Sequence, residues 1–143
     1  MKRWLWLILT LAGVGLCIFV VRHALERRAE RKRETAYQLA LRTYSEALKP
    51  GRSRKEVEDY LRTRNVRFLQ MCCVETKSYS KGVYDDLVRI GQEQAPWFCS
   101  ENNVYVAFQF INRGRTDTDK AAGANASDIL TAVTIFHWLE GCL

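Results

Sequence analysis

Four cysteines lie beyond the apolar amino-terminal run: Cys72, Cys73, Cys99 and Cys142. Thiols at these positions could bind zinc, carry out thiol–disulfide chemistry or form structural bridges. A zinc site needs closely spaced pairs such as Cys-x₂-Cys, and thioredoxin-like chemistry needs Cys-x-x-Cys; neither spacing occurs here. Neighbouring residues of a strand point to opposite faces, so Cys72 and Cys73 are not expected to bond to each other. Cys99 and Cys142 each sit at the end of a strand-like run. A bridge between them would close the segment from 99 to 142 and contribute about 3–4 kcal/mol in the chain-entropy model. Cys73 is the fallback partner for either one. Such bonding requires an oxidising compartment.

The remaining polar groups do not assemble into a catalytic set. His137, between Phe136 and Trp138, reads as a half-buried strand residue, and His23 follows directly on the apolar run. No Ser or Cys can be placed beside His137 as a nucleophile. The pairs Asp85-Asp86 and Asp117-x-Asp119 read as solvated turn residues rather than acid/base pairs or calcium ligands. Arg113-Gly114-Arg115 is a loop fragment, and no Gly-rich phosphate loop is present. The expectation is therefore a non-enzymatic protein without metal or cofactor. Pro96-Trp97-Phe98-Cys99 is the most unusual surface candidate: Trp97 and Phe98, beside a proline in a turn, could form a patch that binds a protein partner, although rings folded back over the open end of the sheet are the favoured reading.

The elements that must carry these residues follow from periodicity. Tyr37, Ala40, Leu41, Tyr44, Ala47 and Leu48 recur at helical spacing, and Pro50-Gly51 ends that helix. Ser53 with Glu56 forms a capping box for a short second helix, whose buried face is Val57, Tyr60 and Leu61, with Asn65 as a left-handed cap. The period then changes to two. Strands are expected over Val66–Val74, Asp86–Gln92, Val104–Ile111 and Ile129–Trp138, with a mobile loop over 112–128. Short connections favour a meander, and two amphipathic helices can cover one face of it.

Ahead of this domain, Trp4 to Val21 carries 18 residues without a charge, about 27 Å as a helix. Lys2, Arg3 and Arg22 flank it, and Trp4 and Trp6 suit a headgroup interface. The run reads as an uncleaved anchor: His23 and Arg22 spoil a cleavage site near Ala24, and Leu16 before Cys17 breaks a lipoprotein signal. Residues 22–67 carry 14 Lys/Arg and 7 Asp/Glu, net +7, whereas residues 68–143 carry 6 and 9, net −3. A basic block beside an anchor fits anionic lipid headgroups. Nucleic acid is not expected, because no groove-entering motif or stacking aromatics lie among the basic residues. The positive-inside count favours a cytoplasmic domain, and the cysteines favour the opposite side.

Leu48 to Leu61, LKPGRSRKEVEDYL, resembles the start of the SmpA/OmlA group of small bacterial lipoproteins, the BamE-like components of outer-membrane assembly. Gly51, Ser53 and Val57 match that group's glycine, Ser/Thr cap and helical valine, and the element order agrees over about residues 37–111. Arg62-Thr63-Arg64-Asn65 stands where that group has a Gly-Pro-like break, and the lipobox cysteine is absent. The resemblance implies a fold shared with β-lactamase-inhibitor-protein modules and an extracytoplasmic setting.

Together these readings predict an α+β chain. A transmembrane anchor (1–21) leads into a charged juxtamembrane helix (22–36) and a small domain (37–143), with two helices packed on a four-stranded antiparallel meander, α-α-β-β-β-β. The expected function is a single-pass, cell-membrane binding or assembly module with its domain on the extracytoplasmic side. The alternative is a cytoplasmic-facing scaffold or sensor whose basic helix binds anionic lipid. The expected partners are the lipid bilayer and a protein.

Overall fold

The computed structural model describes residues 2–72, 83–112 and 123–143, with side chains described from Gly13 onward. Two helices precede four strands: α1 (Lys2–Ala47), α2 (Arg54–Thr63), β1 (Leu69–Met71), β2 (Asp85–Glu93), β3 (Glu101–Ile111) and β4 (Ile129–Glu140). The chain divides into two compact units, residues 1–36 and residues 37–143.

Residues 2–36 belong to α1, and every described side chain from Gly13 to Ala36 is exposed. The structure corrects the membrane assignment. Among the described residues no helix is long and apolar enough to cross a membrane. The part of the uncharged run with described side chains, Gly13–Val21, spans only about 14 Å as a helix, against about 30 Å of hydrocarbon. The rest of that run, residues 4–12, lies outside the described side chains. The helix does not stop at Arg22 either; it continues through Arg27, Arg28, Arg31, Lys32 and Arg33. The transmembrane helix, the signal-anchor and the single-pass cell-membrane localisation with an extracytoplasmic domain are accordingly not supported.

Residues 37–143 form the α+β unit. The sheet order is β1-β2-β3-β4, all neighbours antiparallel. One face is covered by the end of α1 and by α2. Leu48, Val57 and Leu61 pack there with Val88, Val106, Phe108, Phe110 and Leu130, and Tyr44 sets its ring edge-on to Phe108 at 5.5 Å. The chain turns into α2 through a complete capping box: Ser53 N–H donates to Glu56 Oε2 at 2.8 Å, and the Ser53 hydroxyl accepts from Glu56 N–H. The Ser53 hydroxyl also donates to Glu56 Oε2 at 2.8 Å, and the two bonds onto the carboxylate hold it below its usual range, the Ser53 backbone bond contributing most. The helix ends at Asn65, whose φ of 57° is left-handed and lets Val66 N–H reach back to the Leu61 carbonyl.

The strand boundaries differ from the periodicity reading chiefly in β1, which pairs over three residues only. Val66 and Phe68 precede it and pack on the core without pairing. A bulge at Ile90 shifts register, so that Val88 faces Val106 but Gly91 faces Val104. The shift places Gly91 beneath the buried Tyr37, and a Cβ there would lie 2.6 Å from the Tyr37 ring. Leu41, expected in the core, is half-buried, and the nearby Ala40, Tyr44 and Leu48 make the contacts instead. The opposite sheet face carries Leu87, Tyr105 and Ala107, all buried, with Met71, Phe136 and Trp138 packed around them.

Candidate functional site

The two ends of the sheet carry different chemistry. At the end where α2 begins, three charged side chains are buried together. Arg54, the first residue of α2, sends one guanidinium nitrogen to Asp86 Oδ1 at 2.5 Å and another to Asp128 Oδ2 at 3.2 Å, and donates a third bond to the Tyr84 carbonyl. The guanidinium also stacks over the Phe110 ring at 3.9 Å. Backbone bonds run parallel to these: Arg54 N–H donates to the Asp128 carbonyl at 2.7 Å, and Lys55 N–H to the Ala126 carbonyl at 3.1 Å. Burial pushes the Asp86 carboxyl up to about 6, against the attraction of Arg54. Next to it, Asp85 accepts from Phe110 N–H at 3.1 Å. This cluster clamps α2, β2 and the segment before β4. All three side chains have only 0–1% of their surface exposed, so the cluster presents no face to a ligand.

Asp85 and Asp86 are therefore not solvated turn residues, and Arg54 and Asp128 were not anticipated as partners. A faint signal is available in the sequence: two aspartates stand directly before the apolar Leu87-Val88 of a strand, where an uncompensated charge would be costly.

At the opposite end, β2 and β3 are joined by a tight turn that carries Pro96, Trp97 and Phe98. Cys99 N–H donates to the Pro96 carbonyl at 2.9 Å and closes the turn. Cys99 is bonded to Cys142, as the strand-end positions predicted. The chain after β4 folds back along the turn: Ser100 N–H and hydroxyl both donate to the Glu140 carbonyl at 3.0 Å, and Leu143 N–H donates to the Phe98 carbonyl at 2.9 Å. Gly141, at φ 59°, makes this reversal; a side chain there would collide with Ser100. On this braced turn Trp97 is 92% exposed and Phe98 40%, their rings edge-to-face with centroids 5.7 Å apart. Leu143 is also fully exposed beside them.

The other candidates fall elsewhere. His137 on β4 meets Glu93 on β2, Nδ1 to Oε2 at 3.5 Å, in a partly exposed pair across β3. Neither residue lies near the buried clamp partners in the pairing register. His23 lies on the exposed surface of α1 against Phe19, their rings stacked with centroids 6.2 Å apart. Cys17 is free and exposed. Cys72 is disulfide-bonded, and Cys73, Arg113, Gly114, Arg115, Asp117 and Asp119 lie outside the described residues. No group of three or more His, Cys, Asp or Glu that could hold a metal ion occurs among the described residues. No family model, curated protein or solved structure matches this chain.

Proposed function

We propose that the chain is a non-enzymatic binding module that engages a protein partner through Trp97 and Phe98. One observation carries this reading: an almost fully exposed tryptophan stands on a turn held by a disulfide, a reversed tail and three backbone bonds. Aromatic anchors dominate binding energy when they enter a partner's pocket. Bracing the turn in advance lowers the ordering cost of association. Trp97 has almost no intramolecular packing, so its size has no evident use in folding. The test is a photo-crosslinking amino acid placed at Trp97 or at exposed Lys55 in living cells. Adducts to one defined protein from position 97 alone, lost in a Phe98→Ala background, support the reading. Equal labelling from both positions, or none from 97, overturns it.

A second reading rests on a different surface. Arg27, Arg28, Arg31, Lys32 and Arg33 are all exposed on α1, next to exposed Phe19, Val21 and Leu25. This pattern supports surface contact with anionic lipid headgroups, without a span. Co-sedimentation with phosphatidylglycerol vesicles that falls by at least tenfold in a variant with all five basic residues changed to Gln is expected. Unchanged binding by that variant excludes it.

A further inference from the structure

β4 lies at one edge of the sheet. The start of its outer side is occupied: Gly51 N–H donates to the Leu130 carbonyl and Leu130 N–H to the Arg52 carbonyl, both at 2.8 Å, and Ser53 bridges Ile129. At the other end the uncharged stretch stops at Glu140, whose carbonyl is bonded to Ser100 on the β3 side. Between these limits Thr131–Leu139 is bonded to β3 on one side and, among the described residues, to no strand on the other. Strands that remain at an edge are usually guarded by lysine, proline or inward-pointing charge. This stretch, TAVTIFHWL, contains no Lys, Arg, Asp, Glu, Pro or Gly. Its one irregularity is a register shift near Thr131, at the very start.

We propose that this edge pairs with the same edge of a second copy of the chain, antiparallel about a two-fold axis at Ile135, doubling the four-stranded sheet. The proposal goes beyond the aromatic turn and does not depend on it. Ile135 is the midpoint of the uncharged stretch Thr131–Leu139, so this register uses all of it and meets neither the Gly51–Ser53 segment nor the Glu140 charge. The resulting cross-strand pairs set small against large: Thr134 opposes Phe136, Ala132 opposes Trp138, Val133 opposes His137, and Ile135 opposes itself. Antiparallel pairing about a residue keeps each side chain on its own face. Phe136 and Trp138, which border the cluster around Leu87 and Tyr105, would thus extend that apolar face across the axis. The chain's net charge of +6 opposes self-association in general, but the paired edge brings no like-charged acidic or basic side chains opposite one another. A strand from a different protein would have no reason to share the midpoint or the small-to-large alternation.

Thiol cross-linking of the full chain in a Cys17→Ser background tests the register. A bismaleimide of about 8 Å reach should link Ile135→Cys to itself, whereas Val133→Cys lies about 14 Å from its own copy in this register. At least tenfold more covalent dimer from Ile135→Cys is expected. Thr131→Cys and Leu139→Cys, both at exposed positions, guard against misfolding at Ile135; they should link when mixed and not separately. Equal yields from Ile135→Cys and Val133→Cys, or no linkage of the mixed pair, would overturn the proposal.

Discussion

At the scale of single residues, the Asp86 carboxyl makes the clearest demand. Its proton is held more tightly in the folded chain, at about 6, than in the unfolded chain, where aspartate titrates near 4. The resulting stabilisation is fully present below about pH 4 and is lost as pH rises through about 6. The difference in unfolding free energy between the native chain and Asp86→Asn should therefore fall by about 2–3 kcal/mol from pH 4 to pH 7. Urea unfolding of both proteins across that range measures it, and a constant difference would mean that Asp86 does not titrate there. Arg54 keeps Asp128 and the Tyr84 carbonyl as further partners. The pair fixes geometry more than it adds stability, since desolvation offsets much of the Coulomb attraction.

At the scale of elements, α2 illustrates how local signals and burial agree. Its capping box sets the start, Asn65 sets the end, and Val57 and Leu61 are fully buried between them. Leu61→Ala should cost about 2–5 kcal/mol, as for other leucines truncated in closed cores. Leu41→Ala on α1 should cost clearly less, because Leu41 keeps part of its surface in water. Chemical denaturation of the two variants side by side checks this, and equal losses would show that the α1 face is turned differently. The bulge at Ile90 matters at this scale as well. It brings Gly91 rather than a side-chain-bearing residue under Tyr37 and so allows α1 to approach the sheet.

At the scale of the whole molecule, the Cys99–Cys142 bond ties the chain after β4 to the β2–β3 turn across 43 positions. Closing a loop of this size contributes about 4 kcal/mol in the chain-entropy model. Cys99→Ser with Cys142→Ser should lose most of that, read as a lower urea midpoint. Trp97→Ala, made alone, should shift stability by no more than about 0.5 kcal/mol, because the ring is almost wholly in water. These two results separate the brace from what it presents.

The sequence by itself determined the local elements: the capped second helix, the left-handed Asn65, the period-two strands and the pairing candidates at Cys99 and Cys142. Each follows from interactions within a few residues or from position at a strand end, so each could be read before folding was known. The position of the aromatic turn was legible from Pro96, but the exposure of Trp97 was not, because residue type alone favours large rings folded over the end of the sheet. The buried clamp was not, because an aspartate in a chain carries no mark of the arginine that will meet it. Arg54 and Asp128 are 74 positions apart, and only the docking of α2 against β2 and the segment before β4 makes their charges tolerable. The uncharged run shows the reverse: composition suggested a membrane span, yet the helix runs on into a charged segment and the described part is too short to cross. The edge position of β4 among the described strands likewise arises only when strand order is known, since the same TAVTIFHWL in the middle of a sheet would be an ordinary core strand.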